Sequence, residues 1–272
     1  MQLHDVTETG PRSLRSRWTL KFTFQLMPWK PECVFTGVSD YTLDANFKIV
    51  KQEDYWDSIN LEKGGKYVKR PVADGLSDFL SQLFKKKTRE YMVPELPYVL
   101  LRRGNGYSIR AYPGYTGVEV AYSNRREAWE QLERYSIGQN ELNARFTPFV
   151  PSIMQIEATD SGSWSKKMRW VMKFTPPGQK DSEELPIPPS TASNCDVISQ
   201  PSTVYAVKTF SEPLTDDTVT RMHDELLSDL KRDGLIPEFE EHKTFVQFDE
   251  VYYLGERRNE IWVPMEGHPW PY

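Results

Sequence analysis

The sequence predicts an α+β protein built in two parts, and three observations support this prediction. Hydrophobic residues make up 38% and charged residues 27% of the 272-residue chain, a balance typical of chains that bury a core. Residues 15–57 show the two-residue alternation of antiparallel strands. From Tyr98 onward, a strand–helix–strand pattern occurs twice. We therefore expect two domains, residues 1–90 and 91–272.

The first domain is predicted to be a small curved antiparallel sheet followed by a helix. Arg17–Leu26 alternates apolar and polar residues, which predicts a half-buried strand. Val34–Leu43 and Phe47–Trp56 are predicted as two further strands, because Asp44-Ala45-Asn46 between them is typical of a turn. The apolar spacing of residues 71–87 predicts a helix.

The alternation places four aromatic side chains on one face of this sheet. They are Trp18, Phe22, Phe24 and Phe35. Burying an apolar side chain of this kind is worth about 1.5–3 kcal/mol, so we expect the face to be covered. Either helix 71–87 or another protein covers it, and a homo-oligomer is one such arrangement.

The second domain is predicted to contain two long amphipathic helices, over residues 124–137 and 215–233. Asn124, with Glu127 three residues later, is a typical helix start, and a glycine follows each helix. Residues 88–97 are predicted to be a linker and the proline-rich residues 176–202 a long loop. The predicted strands are Tyr98–Arg102, Tyr107–Tyr112, Phe146–Ile156, Met168–Phe174, Val204–Phe210, Glu250–Leu254 and Glu260–Pro264.

Several function classes are disfavoured by what the sequence lacks. A net charge of −5 argues against a nucleic-acid partner. Cys33 and Cys195 form neither a zinc-binding nor a haem-attachment spacing, and no metal site is predicted. Gly104-x-Gly106 precedes a strand, which excludes a dinucleotide fingerprint. Enzyme signatures are absent, as are transmembrane, signal and transit segments, so no catalytic residues are predicted.

Residues 98–264 resemble the SOUL haem-binding protein family, which implies a distorted antiparallel β-barrel with two flanking helices. The closing motif at Arg257–Pro264 is the most specific part of the resemblance. The other matching segments are Tyr98–Leu101, Gly106–Pro113, Arg126–Trp129, Tyr135–Asn140 and Thr147–Val150.

The resemblance implies non-covalent binding of haem or another tetrapyrrole, as a carrier or buffer. The ligand is expected in an apolar groove beside helix 124–137. By position, Arg126 and Arg134 correspond to basic groups of the family, while Trp129 and Leu132 correspond to apolar ones. Two positions depart from the family pattern, Glu133 and Phe146.

Two alternatives to this site remain open from the sequence. Trp129 and Leu132 can instead pack on the sheet as core residues, and the protein can be an interaction scaffold that has kept the fold without the ligand. The family does not depend on a fixed axial histidine. Among the four histidines, His223 is the best candidate, because it lies next to Met222 on the second helix.

Residues 2–57 resemble the second half of a plant and algal plastid domain of the nuclear-transport-factor-2-like type. This resemblance implies a plastid protein of a photosynthetic eukaryote. Helices that normally cover the curved sheet are absent. A carboxylate can act as general base in such domains, which makes Asp40, Asp54 and Asp57 candidates for lyase or isomerase chemistry; a carboxylate at a strand end is the simpler interpretation. The resemblance rests on Leu3–Val6, Thr9-Gly10, Arg17–Leu20, Pro28–Pro31, Thr36-Gly37 and Asp54–Asp57.

Overall fold

The computed structural model describes residues 1–63, 66–84, 91–158, 164–175, 184–189, 194–238, 242–249, 253 and 255–265, and within them the fold is α+β as predicted. The elements before residue 90 are β1 (Gln2–Gly10), β2 (Ser13–Thr23), β3 (Glu32–Leu43), β4 (Ile49–Trp56), β5 (Asn60–Lys63), β6 (Lys66–Lys69) and α1 (Val72–Leu83). Those after it are β7 (Val99–Arg103), β8 (Ser108–Tyr112), β9 (Tyr115–Ala121), α2 (Arg125–Ser136), β10 (Phe149–Ala158), β11 (Trp164–Phe174), β12 (Cys195–Gln200), β13 (Thr203–Phe210), α3 (Asp216–Arg232), β14 (Lys243–Gln247) and β15 (Asn259–Pro264).

The N-terminal sheet is an antiparallel meander in the order β1-β2-β3-β4. Helix α1 covers part of its aromatic face, because the Phe79 ring lies 5.9 Å from Phe24 and 6.1 Å from Phe35. The predicted cover by helix 71–87 therefore exists for these two rings, whereas cover by a second copy stays a prediction. The end of that predicted helix and the domain boundary near residue 90 both involve residues 85–90, which lie outside the described ones.

The opposite face of the N-terminal sheet is buried against β7, although the alternation makes it the polar side of β2. Arg17 and Thr19 are both buried. Thr19 Oγ1 donates to the Leu100 carbonyl at 2.9 Å, and Arg17 Nη1 donates to the Leu101 carbonyl at 3.3 Å. A pattern that predicts a half-buried strand thus belongs to a strand that is buried on both faces near its centre.

A buried carboxylate organises this contact. Asp57 accepts hydrogen bonds from Arg17 Nη1 at 2.7 Å and from Thr36 Oγ1 at 2.6 Å, and Arg102 Nε lies 3.9 Å away. Burial by itself raises the pKa of Asp57, but the charges of Arg17 and Arg102, with the hydrogen bonds, lower it below its usual range. Asp57 is therefore a structural anion and is not available as a general base.

A second buried ion pair ties the N-terminal part to the end of α3. Arg70 Nη2 lies 2.6 Å from Asp233 Oδ2, and the Tyr107 hydroxyl donates to the same oxygen at 2.7 Å. Asp233 is the C-terminal cap residue of α3. The Arg70 and Asp57 contacts together hold the N-terminal sheet against both the edge strand and a helix of the larger sheet.

The larger sheet is a curled antiparallel half-barrel in the order β12-β9-β11-β10-β14-β15-β13-β8-β7. It contains two β–α–β–β units, β9-α2-β10-β11 and β13-α3-β14-β15, which join where β10 pairs with β14. This repeat agrees with the predicted strand–helix–strand pattern. Helices α2 and α3 contact the same side of the sheet.

The other side of the half-barrel is filled by the segment that the sequence predicts as a linker. Leu96 is fully buried there, and its backbone pairs with Val150. Arg258 Nη2 holds Glu95 Oε1 at 2.8 Å. The predicted linker is thus anchored at Glu95 and Leu96, while Met92 between its ends is fully exposed.

Several predicted boundaries need correction. β12 (Cys195–Gln200) lies inside the predicted loop 176–202, and β1, β5, β6 and β14 were not predicted, because short or exposed strands lack a clear alternation. The predicted strand Glu250–Leu254 falls mostly outside the described residues. The two helix stops are confirmed, since Gly138 and Gly234 adopt φ values of 112° and 70°.

We predict that Asp57→Asn lowers the free energy of unfolding by about 3–5 kcal/mol, because it leaves the buried Arg17 without its counter-charge. Urea unfolding followed by far-UV circular dichroism measures this loss. Asp196→Asn on the exposed edge of β12 is the matched control and should change stability by about 0.5 kcal/mol or less.

The same carboxylate gives stability a defined pH dependence. Because the pKa of Asp57 is lower in the folded state than in the unfolded chain, its stabilisation is complete above about pH 4 and is lost as the pH falls through the folded-state value. Asp57→Asn should therefore flatten the acid limb of the stability profile. An unchanged acid limb would contradict this assignment.

Candidate tetrapyrrole site

The candidate site lies on the helical side of the half-barrel, beside α2. α2 packs on β9 and β11, and α3 packs on β13, β14 and β15. β10 pairs with β11 and β14, so it runs along the sheet between the strands that carry the two helices. Met154 of β10 belongs to the buried cluster on this side, with Ile156 partly buried beside it.

Trp129 of α2 is half-buried and stands over the sheet. Its ring lies edge-on to that of Trp170 of β11, with centroids 4.9 Å apart and planes at 84°. Such a pair is worth about 0.5–1.5 kcal/mol beyond its buried area. The Trp170 indole N–H is buried and has no hydrogen-bond partner among the described residues. The half-buried Trp129 ring thus offers an apolar surface, supported from below by the buried Trp170.

Leu132 is a core residue and has no surface that a ligand could contact. Its side chain is 0% exposed and belongs to the central cluster, as does Tyr135 one turn further along α2. The Tyr135 hydroxyl donates to the Pro186 carbonyl at 2.6 Å, which fixes the C-terminal end of the helix. Leu132 therefore supports α2 on the sheet, the core role that the sequence left open.

Arg126 and Arg134 are exposed at 76% and 62% on the outer side of α2. Glu130 lies one helical turn from each. Its carboxylate is 3.0 Å from Arg126 Nε and 4.0 Å from Arg134 Nη2. Arg126 and Arg134, both predicted as propionate partners, thus share the carboxylate of Glu130, four residues from each along α2. Solvent weakens both ion pairs, because all three side chains reach solvent.

Arg125 is the residue that the sequence analysis missed. It is half-buried, and its guanidinium reaches across to the Gln247 side-chain oxygen on β14. No carboxylate of the described residues lies within ion-pair distance of it. Burial lowers the pKa of Arg125, and the nearby Arg257 lowers it further. Its spacing of four residues from Trp129, on the apolar side of α2, is the signal that could have identified it.

His223 of α3 is buried, with 1% exposure. By distance, neither ring nitrogen makes a hydrogen bond to a described residue, and Nδ1 lies 3.6 Å from Asp224 Oδ1. Burial lowers the pKa of His223, which favours the neutral ring. A neutral imidazole keeps one nitrogen lone pair, the form that coordinates a metal.

The other candidate residues have other roles. Asp40 forms a two-point contact with Arg15, at 2.7 and 2.9 Å, on the N-terminal sheet. Cys33 and Cys195 are buried and unpaired. Within the described ranges, no group of three or more His, Cys, Asp or Glu side chains could hold a metal ion.

Comparison with known families gives two matches. Residues 93–264 match the family described as "SOUL heme-binding protein". Residues 1–52 match the family described as "Uncharacterized conserved protein (DUF2358)". No curated protein matches the chain. In the part of the chain that the structure describes, no helix is long and apolar enough to span a membrane.

The solved structures to which this chain is similar are distant in sequence. A structure described as a putative bacterial transcription regulation protein from Staphylococcus aureus is 14% identical and has a TM-score of 0.31; the alignment covers 59% of this chain and 98% of that one. A hydrolase from Listeria innocua is 10% identical with a TM-score of 0.38, over 67% and 98% of the two chains. The EcmrR C-terminal domain is 9% identical with a TM-score of 0.41, over 59% and 96%.

We predict that Leu132→Ala destabilises the protein more than Trp129→Ala does. Leu132→Ala should lower the free energy of unfolding by about 2–5 kcal/mol, because it opens a cavity in a closed core. Trp129→Ala should lower it by less, since its ring is only half-buried and the loss falls short of the roughly 3–5 kcal/mol of a fully buried ring. Thermal and urea unfolding of both variants test this order, and the reverse order would contradict the assignment of Trp129 to the groove wall.

Proposed function

The chain belongs to the SOUL heme-binding protein family, and from this membership we propose that it binds haem or a related tetrapyrrole non-covalently, as a carrier or buffer, between α2 and α3. The observation that carries the proposal is Arg125, a half-buried cation without a described counter-charge, one helical turn from the half-buried Trp129. A tetrapyrrole needs apolar walls for its ring and cations for its carboxylates.

The residues of the groove fit these requirements. The half-buried Trp129 ring supplies an apolar surface, with the buried Trp170 edge-on beneath it. Arg125 is our proposed partner for one propionate, because a contact with a partly desolvated cation is worth more than one at an exposed rim. Arg126 or Arg134 is proposed for the second propionate, at the solvent side of α2.

His223 is proposed as the residue that would hold the iron of an iron-containing tetrapyrrole. Its support is a buried imidazole, kept neutral by burial, on the helix that borders the proposed groove. Bound iron would supply redox and ligand chemistry; the chain's own contribution is to bind and orient the group.

A plastid location is proposed from the resemblance of residues 2–57 to a plastid domain. A fluorescent fusion of the full-length precursor, expressed in a plant or algal cell, should label plastids. Signal confined to the cytosol would contradict this location without bearing on the groove.

We expect haemin to produce a Soret band and to quench tryptophan fluorescence when it is added to the protein. Arg125→Ala should weaken binding about tenfold or more, as a lost charge-assisted contact of about 1.5–3 kcal/mol implies. Arg126→Ala with Arg134→Ala should together weaken it less, by up to about fivefold, since an exposed contact is worth about 0.2–1 kcal/mol. Both the single and the double variant should remain folded, and circular dichroism checks this.

Glu130→Gln supplies a control of opposite sign. It frees Arg126 and Arg134 from their shared carboxylate, so haemin affinity should rise a few-fold. Equal affinity of the parent, Arg125→Ala and the double arginine variant would exclude the groove. No Soret band at all would favour the alternative, a scaffold that has kept the fold without the ligand.

We predict that His223→Ala shifts the Soret maximum of the haemin complex and weakens its binding, while leaving the binding of metal-free protoporphyrin IX, followed by its fluorescence, largely intact. His242, at the start of β14, is the matched control, and His242→Ala should leave the spectrum unchanged. A parent-like spectrum for His223→Ala would remove this residue from the site and leave the groove itself untouched.

A further inference from the structure

A cavity of about 430 Å³ lies on the N-terminal sheet, away from the helices of the half-barrel. It opens on the same face as the rings that α1 partly covers, beside the pair formed by Trp18 and Trp56, whose centroids are 5.5 Å apart. Leu14 and Leu20 of β2 supply aliphatic wall, and Leu3 of the edge strand β1 is 53% exposed at the rim. The volume is within the range of small-molecule sites.

Polar groups converge at one point of this otherwise apolar cavity. Ser39, which is 2% exposed, accepts the Trp18 indole N–H at 2.9 Å and donates to Asp54 Oδ1 at 2.5 Å. Gln52 donates to the same oxygen at 2.9 Å. The carboxylate is therefore held in one orientation, and its Oδ2 receives no hydrogen bond from a described residue.

The charge of the cavity selects its ligand. Asp54 is the only charged side chain among the described residues that line it. Trp18, Trp56 and Tyr41 bring aromatic rings to the same wall, and ring faces attract cations. A carboxylate at this point repels the propionates of a tetrapyrrole, so the cavity is unsuited to the ligand proposed for the groove.

We propose that this cavity binds a small lipophilic amine in its cationic form, with the ammonium group on Asp54 Oδ2 and the apolar body against the wall formed by Trp18, Trp56 and Leu20. This site is independent of the proposed tetrapyrrole function. The exposed Asp54 carboxylate distinguishes this site from a surface that packs on another copy of the chain. A second copy that covered the site would bury this charge without a counter-charge, which costs free energy.

The test uses three probes of nearly equal shape and different charge. They are 3-phenylpropylammonium, 3-phenylpropan-1-ol and 3-phenylpropionate. Calorimetry and tryptophan fluorescence should show the ammonium binding about tenfold more tightly than the alcohol, with the carboxylate weakest. Asp54→Asn should abolish the preference for the ammonium while binding of the alcohol stays unchanged.

Glu53→Gln is the matched control. Glu53 is the preceding residue of β4, points to the opposite face by strand alternation, and pairs with Lys51 at 2.8 Å. It removes the same charge close by without touching the cavity, so the preference should persist. Equal binding of all three probes, or the same loss in Glu53→Gln as in Asp54→Asn, would overturn the proposal.

Sedimentation velocity tests whether a second copy of the chain covers this face instead. A monomer that binds the ammonium supports the proposal. A dimer that binds no probe and dissociates on Leu3→Arg would overturn it, because a second copy would then cover the cavity. Haemin titration of Asp54→Asn separates the two sites, since its Soret response should equal that of the parent.

Discussion

The Arg17–Asp57 ion pair, buried against β7, is the contact on which the arrangement of the two sheets depends. β7 is an edge strand, and an exposed edge offers unpaired backbone groups to other chains. Here side chains of the N-terminal sheet cover it: Thr19 and Arg17 donate to carbonyls of β7, and Thr36 Oγ1 accepts the Arg103 N–H at 2.8 Å. Asp57 makes this cover stable, because it neutralises the buried arginine and fixes Thr36.

Fixing one face of the N-terminal sheet determines what the other face can do. With Arg17 and Thr19 turned toward β7, the alternation of β2 turns Trp18 and Leu20 the opposite way. α1 covers only the end that carries Phe24 and Phe35. The remaining surface is concave and apolar with a single carboxylate. The contact between the two sheets and the N-terminal cavity therefore lie on opposite faces of the same strand, β2.

In the half-barrel, different residues of α2 pack the helix on the sheet and form the proposed ligand site. Leu132 and Tyr135 hold α2 on the sheet, while Arg125 and Trp129, on the same side of the helix but nearer its start, reach the region between the helices. The two proposed sites have opposite charge, a cation in the groove and an anion in the N-terminal cavity. The two proposed sites would therefore select small molecules of opposite charge.

The sequence by itself determined the α+β class, the aromatic strand β2, helices α2 and α3 with their glycine stops, and the family, because these follow from local periodicity and short motifs. Tertiary structure decided the rest. Only packing shows that Arg17 is buried and Arg126 is not, that Leu96 of the predicted linker is fully buried, and that Arg125 reaches Gln247 of β14 while Leu132 is closed in the core. Periodicity gives the side of an element on which a residue lies; what that side meets depends on strands and helices far away in the chain, which no local pattern encodes.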